Sequence, residues 1–203
     1  LVNASSNRNG ASATEISEGF GFLYQESNTL TASTKDVTCR TCSSINDAQG
    51  GVMAQNSIDL VLENHSISLP AGVGPALQID NSGISSPGVV TIKGMSIYQN
   101  ETSSQAVAIT SSDAVINDLI LQGNHTGIIW SGSGSSGLNS YLNNSFLSGQ
   151  NCLLLSNHQN LTIHSPDYSS CNGGFTVQSS QVSFVDAPNA GGLQLTQPGL
   201  AQT

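Results

Sequence analysis

Short apolar runs recur along this chain at a nearly regular interval. One family has six members, whose middle residues are 30, 21, 25, 22 and 18 residues apart: Leu77-Gln78-Ile79, Val107-Ala108-Ile109, Ile128-Ile129-Trp130, Leu153-Leu154-Leu155, Phe175-Thr176-Val177 and Leu193-Gln194-Leu195. A second family lies between them, in Val89-Val90-Thr91-Ile92, Val115-Ile116, Leu161-Thr162-Ile163 and Val182-Ser183-Phe184, with one copy weak or missing near Leu138. Two interleaved families of short strands that share a period predict a stacked solenoid.

The pattern divides the chain into three regions. Residues 1–14 are polar and patternless, which predicts a flexible or exchanged N-terminal arm. Residues 15–56 hold three of the ten aromatic residues and a CxxC motif, and we interpret them as an N-terminal cap. Residues 57–203 form the predicted solenoid of about six coils. No capping segment follows Leu193-Gln194-Leu195, so this run is predicted to be an exposed assembly surface.

Composition narrows the class of protein. The chain has 203 residues, enough for one domain, of which 37% are hydrophobic, 5% aromatic and 8% charged. Its net charge is −9, and its only basic residues are Arg8, Lys35, Arg40 and Lys93. Nucleic-acid binding and attraction to an anionic membrane both need clustered basic residues, so we expect neither. No apolar stretch approaches the roughly 20 residues of a membrane-spanning helix, and we expect no membrane insertion.

The four cysteines fall into two pairs. Cys39 and Cys42 form a CxxC, which is compatible with a redox motif, half of a zinc site or a local disulfide. A zinc site would need two further ligands. Cys152 and Cys171 are 19 residues apart, about one coil, where the strand spacing suits a disulfide. We favour two disulfides, which indicate an oxidising, extracellular or cell-surface location, and we expect no metal and no cofactor.

Six sequons mark candidate N-glycosylation sites, at Asn3, Asn64, Asn100, Asn124, Asn143 and Asn160. Several of these residues fall near strand ends, at coil-like spacing. Asparagine also tolerates the left-handed backbone that tight corners require. A ladder of corner asparagines and a set of glycans are therefore both open interpretations.

Coils of 18 to 30 residues, each with two or three short strands, resemble those of the right-handed parallel β-helix of the pectin-lyase-like group. The resemblance covers roughly residues 57–197. The resemblance implies an all-β, single-domain β-solenoid, and a β-sandwich is the main alternative fold. Members of the group include polysaccharide lyases, polygalacturonases, esterases, phage tailspikes, adhesins and structural fibres. The polygalacturonase-type motifs (NTD, a DD pair, GHG and RIK) are absent here.

Candidate catalytic residues are sparse. A lyase needs an Arg or Lys base, and none follows Lys93. Asp113 and Asp118 are the best carboxylate pair for hydrolysis, although a turn role is favoured for Asp113. The histidines, which could supply a Ser/His/Asp arrangement, are His65, His125, His158 and His164. Trp130 is a possible sugar-stacking residue, although a strand-end structural role is favoured.

These patterns favour a non-enzymatic extracellular structural or adhesive subunit. We expect it to self-associate head to tail into a surface fibre or filament, and to carry no catalytic residues. A glycan or another cell-surface ligand is a possible partner. The alternative is a polysaccharide-binding or polysaccharide-degrading module, with loops 81–87 and 131–137 around a groove near Trp130.

Overall fold

The computed structural model describes residues 1–7, 20–25, 34–35, 38–47, 50–70, 74–82, 89–132 and 139–186. Within these ranges there is no helix, and 21 of the 23 strands build three parallel sheets of seven strands each. Strands from the three sheets alternate along the chain, so each coil contributes one strand to each sheet. The molecule is therefore an all-β solenoid rather than a β-sandwich, as the sequence predicts. From Ser57 onward, two of the sheets have five described strands each and the third has six, close to the expected six coils.

The sheets, here called A, B and C, follow one another in each coil. Sheet A contains β4 (Thr38–Arg40), β8 (Val61–Glu63), β11 (Val90–Lys93), β14 (Ala114–Asn117), β17 (Ser140–Asn143), β20 (Leu161–His164) and β23 (Val182–Val185). Sheet B contains β1 (Ser5–Asn7), β5 (Ser43–Ile45), β9 (Ser66–Leu69), β12 (Ser96–Gln99), β15 (Ile120–Gln122), β18 (Phe146–Gly149) and β21 (Asp167–Cys171). Sheet C contains β2 (Phe20–Gln25), β6 (Gly50–Gln55), β10 (Leu77–Asp80), β13 (Gln105–Thr110), β16 (Thr126–Ser131), β19 (Leu153–Ser156) and β22 (Phe175–Gln178). A further short pair joins β3 (Thr34–Lys35) to β7 (Ser57–Ile58).

The first family of apolar runs is sheet C. Gln78, Ala108, Ile129, Leu154 and Thr176 stack as register partners, and these are the middle residues of five of the six runs. The sixth run, Leu193-Gln194-Leu195, lies outside the described residues. Residues on either side of each middle position point inward, because side chains alternate along a strand. The core therefore consists of continuous apolar columns, such as Ile79, Ile109, Trp130, Leu155 and Val177.

The second family is sheet A. Val115 pairs with Thr91, so the run Val115-Ile116 lies beside Thr91-Ile92 of the preceding coil. The copy that was weak near Leu138 is β17, whose Leu142 stacks on Ile116 in the core. The remaining strand family, sheet B, gives almost no apolar run in the sequence.

The sheets also extend into the region before Ser57. Strands β2, β4, β5 and β6 belong to the same three sheets as the later coils. Near the start of the chain, β1 pairs with β5 of the same chain. The described parts of the predicted arm and cap are thus paired in the manner of coils.

The corner between sheets A and B is made by a left-handed residue in every coil. The residues with positive φ here are Asn3, Thr41, Asn64, Gly94, Asp118, Asn144, Ser165 and Asp186. From Thr41 to Ser165, each backbone N–H in this series donates to the carbonyl of the residue that ends the next sheet A strand. Left-handed backbone is adopted most easily by Gly, Asn and Asp. From Thr41 to Ser165, the residue that follows each left-handed residue is buried in the core.

Two disulfides brace the solenoid, as predicted. The Cα atoms of Cys39 and Cys42 are 6.1 Å apart, and those of Cys152 and Cys171 are 5.6 Å apart. Cys39 and Cys42 are at most 1% exposed. The second pair joins the residue before β19 to the end of β21.

Removing each disulfide is expected to destabilise the fold by a different amount. Loop-closure entropy gives about 3 kcal/mol for the Cys152–Cys171 loop and about 2 kcal/mol for the shorter Cys39–Cys42 loop. Urea unfolding of Cys152→Ala/Cys171→Ala and Cys39→Ala/Cys42→Ala measures this. Equal losses, or a larger loss from the shorter loop, would show that chain entropy does not set the order.

Candidate functional surfaces

The candidate catalytic carboxylates are held apart. Asp113 and Asp118 flank β14, so their Cα atoms are separated by five residues of extended chain, about 16 Å. Asp113 is 1% exposed, whereas Asp118 lies at the exposed left-handed corner between sheets A and B. Two carboxylates that flank a glycosidic bond are about 5 to 9.5 Å apart. This pair therefore does not have the arrangement of a glycosidase.

Trp130 lies in the core and offers no ring face to a sugar. Its side chain is fully buried, and its Nε1 donates to the Ser112 carbonyl at 3.0 Å. The ring of His158 meets it edge-on, with centroids 4.9 Å apart. Ser112 in turn accepts from Asn81 Nδ2 at 3.0 Å. The tryptophan thus anchors a buried polar corner, in line with the structural role favoured for it over sugar stacking.

Three of the four histidines are buried at coil corners. His65, His125 and His158 are at most 1% exposed, and each directly follows an asparagine. Burial lowers the pKa of His65 from 6.5 to about 4, because the charged imidazolium is poorly solvated there. The pKa values of His125 and His158 are lowered for the same reason. The charge of Asp113 opposes the shift at His158 without cancelling it.

The fourth histidine belongs to an exposed Ser/His/Asp chain. Ser165 Oγ lies 3.0 Å from His164 Nδ1, and His164 Nε2 lies 3.3 Å from Asp186 Oδ2. The side chains of His164 and Asp186 are 42% and 74% exposed. The Ser165 N–H donates to the Val185 carbonyl, so it is engaged in the corner rather than free to bind an oxyanion. Ser165, His164 and Asp186 are therefore connected in the order of a catalytic triad, but they lie on a solvent-exposed corner.

The sequon asparagines combine exposure with corner hydrogen bonds. Five are exposed and Asn143 is half-buried. Asn100 Oδ1 accepts from the Asn124 N–H at 3.3 Å, and Asn124 Oδ1 accepts from Gln150 Nε2 at 2.8 Å, so a polar ladder crosses three coils. The Asn143 Nδ2, the atom to which an N-glycan is joined, donates to Asn117 Oδ1 at 2.9 Å. The left-handed backbone on which the corner interpretation rests occurs at Asn3, Asn64 and Asn160 but not at Asn100, Asn124 or Asn143, and glycosylation stays a prediction.

The outer face of sheet A carries a continuous column, here called the sheet A column. It consists of register partners in the order Val2, Arg40, Glu63, Lys93, Asn117, Asn143, His164 and Val185. Within it, Arg40 Nε donates to Glu63 Oε2 at 2.7 Å. The middle of the column is polar or charged. Its two ends, Val2 and Val185, are apolar and are 68% and 39% exposed.

Open strand edges accompany these apolar ends. Within the described residues, β21, β22 and β23 pair on one side only, as do β1 and β2 at the opposite end. Sheet A is extended past β4 by residues 1–3, where Asn3 N–H donates to the Arg40 carbonyl and Arg40 N–H donates to the Leu1 carbonyl. Leu1 is 62% exposed. Sequence reasoning placed an open edge at Leu193–Leu195, outside the described residues, and missed the apolar ends of sheet A.

The side faces have their own exposed apolar residues. On sheet B, Ile45, Tyr98 and Ile120 are 40%, 40% and 43% exposed. Parts of the two loops predicted to border a groove, residues 83–88 and 133–138, lie outside the described residues. Among the described residues, the exposed large apolar side chains on the sides of the solenoid therefore lie on sheet B.

Comparison of this chain with protein-family models, curated proteins and solved structures finds no match in any of the three. Among the described residues, no helix is long and apolar enough to cross a membrane. The fold is established by the strands themselves: this chain is a parallel β-solenoid closed by two disulfides.

Proposed function

We propose that this protein is a non-enzymatic, extracellular structural or adhesive subunit whose solenoids associate head to tail into a fibre. The observation that carries the proposal is the sheet A column, which has a charged and polar middle and exposed valines at its two ends. In a continuous stack, Val185 of one copy would lie beside Val2 of the next. The two residues would then shield each other from water, as core neighbours do.

The backbone supports the same arrangement. Within the described residues, the edge strands at the two ends have a strand partner on one side only, and neighbouring strands run parallel. A second copy stacked in register would continue all three sheets without changing strand direction. Such strand addition supplies main-chain hydrogen bonds, while side chains at the joint give specificity. Leu193-Gln194-Leu195, which the sequence predicts to be an assembly surface, lies outside the described residues and stays a prediction.

An extracellular location is compatible with the two disulfides, since such bonds persist in oxidising compartments. The polysaccharide-degrading alternative receives no support from Asp113 and Asp118, because β14 separates them. Adhesion would use the sides of the fibre, where Tyr98 and Ile120 are exposed on sheet B. A glycan or cell-surface ligand on that face remains part of the proposal.

Charge substitutions at the proposed joint are expected to weaken association. Val185→Glu or Val2→Lys should each raise the protein concentration at half-association by about tenfold or more, because a single charge would be buried against valine. Sedimentation velocity measures the shift. The matched control is Ile120→Lys, since Ile120 is as exposed as Val185 but lies on a side face.

The two charges together should restore association. In Val2→Lys/Val185→Glu, every joint would place a lysine beside a glutamate of the next copy, and the attraction should weaken as salt is added. If Ile120→Lys weakens association as much as the end variants do, the contact lies on the side of the solenoid. That outcome would overturn the head-to-tail arrangement.

A further inference from the structure

Cys39, Cys42 and His65 form a buried cluster at the corner between sheets A and B. One sulfur from each cysteine and one ring nitrogen of His65 all lie within 4.8 Å of one another. The three residues are at most 1% exposed. Among the described residues, no second group of three His, Cys or carboxylate side chains converges in this way.

The solenoid register brings these residues together. Cys39 is the inward residue of β4, and Cys42 follows the left-handed Thr41 at the corner. His65 occupies the equivalent corner position one coil later. The Ser66 N–H donates to the Cys42 carbonyl at 2.9 Å, and the Ser96 N–H donates to the His65 carbonyl at 3.0 Å. The backbone therefore fixes the imidazole above the CxxC motif.

His65 has an unmet bonding capacity. Neither ring nitrogen has a hydrogen-bond partner among the described residues, although both are buried. The edge-on ring of Phe22, with centroids 5.3 Å apart, holds the imidazole without satisfying it. A buried polar group without a hydrogen-bond partner destabilises the folded state. Binding a cation through one nitrogen would remove part of this cost.

We propose that reducing the Cys39–Cys42 disulfide converts this corner into a Zn²⁺ site with ligands Cys39, Cys42 and His65. On a tetrahedral ion with bonds of about 2.3 Å to sulfur and about 2.0 Å to nitrogen, the donor atoms lie about 3.6–3.8 Å apart. After reduction the two sulfurs, which are bonded to each other in the disulfide, must separate to that spacing, and the sulfur-to-nitrogen distances, now within 4.8 Å, must shorten. Two thiolates and a neutral imidazole balance the charge of Zn²⁺, so the buried site is neutral overall. Water takes the fourth position, as in other sites with three protein ligands.

The chemistry has two balanced steps. A phosphine reductant gives two electrons to the S–S bond, two thiols form, and the phosphine becomes its oxide by taking oxygen from one water molecule. The two thiols then release two protons as Zn²⁺ binds. The disulfide form therefore does not bind the metal, whereas the dithiol form does.

Zinc titration of the reduced chain tests the proposal. The second disulfide is first removed in Cys152→Ala/Cys171→Ala, so that the only thiols are those of the CxxC. We expect one Zn²⁺ per chain, a rise in melting temperature on binding, and a thiolate-to-cobalt charge-transfer band when Co²⁺ replaces zinc. Further replacing Cys39 and Cys42 by alanine should abolish binding. His65→Asn and His65→Phe should each weaken it by about tenfold or more.

Each remaining outcome decides the proposal. A reduced chain that keeps its β-sheet circular dichroism but takes up no zinc overturns it. If both His65 variants bind zinc as tightly as the parent chain, or if zinc does not raise the melting temperature, the metal is bound by the thiols alone and the proposal is overturned. If the reduced chain unfolds, refolding on addition of Zn²⁺ supports the site, and failure to refold contradicts it. Selective uptake of Cu⁺ with no uptake of Zn²⁺ contradicts the charge-neutral assignment.

Discussion

Trp130→Ala is expected to lower the free energy of unfolding by about 3–5 kcal/mol. The side chain is fully buried, packs between Ile109 and Leu155 in the sheet C core column, and meets His158 edge-on. Removing it leaves a cavity in a stack of short strands that cannot collapse without shifting its neighbours. It also leaves the buried Ser112 carbonyl without the indole donor. Urea unfolding with an unchanged m-value measures the loss.

Two further variants separate packing from hydrogen bonding. Trp130→Phe keeps an aromatic ring but loses the indole N–H, and we expect it to cost about 1–3 kcal/mol. Tyr98→Ala removes an aromatic side chain that is 40% exposed on sheet B, so its cost should stay below about 1 kcal/mol. A loss below 1 kcal/mol for Trp130→Ala would contradict its place in the core.

Acidification from pH 7 to pH 5 is expected to destabilise the fold, by about 2 kcal/mol from His65 alone. The pKa of His65 is about 4 in the folded chain, against 6.5 for an ordinary histidine. Its contribution is therefore fully present above pH 6.5. This contribution is lost as the pH falls towards the folded pKa, because the unfolded chain binds a proton at His65 that the folded chain does not bind. His125 and His158 act in the same direction, since burial lowers their pKa values as well.

The pH slope can be assigned to one residue. The slope of the unfolding free energy against pH reports how many protons are taken up on unfolding. In His65→Phe this number should fall by up to one. Met95→Leu is the matched control, because Met95 is buried at the same corner one coil further on and carries no titratable group. Stability that is constant between pH 7 and pH 5 would show that the buried histidines have other partners in solution.

The sequence predicts the five sheet C strands from β10 to β22 because both of their inward positions are large and apolar. Sheet A is harder, since Ser140 replaces an apolar residue at one inward position of β17. Sheet B is hard to predict because most of its strands bury at most one apolar side chain. For example, β15 buries only Leu121, while β21 buries none completely. Short strands with one inward residue leave no alternating pattern to read.

The candidate sites depend on contacts between coils, which a linear pattern does not encode. His65 lies one coil away from the CxxC, so local spacing does not reveal the cluster. A usable signal was present nonetheless, since Asn-His occurs three times and each time marks a buried corner histidine. Trp130 illustrates the opposite case. It completes an apolar run, and the register of sheet C turns it inward rather than towards a ligand.

Electron microscopy of the purified chain at high concentration tests the head-to-tail claim most directly. Sheet A spans seven strands plus the level of Val2, so at about 4.8 Å per level each copy should add roughly 38 Å along a fibre. We expect unbranched filaments one solenoid wide with this repeat, shortened or absent in Val185→Glu. Monomeric particles at every concentration, or side-by-side assemblies without the axial repeat, would contradict the account.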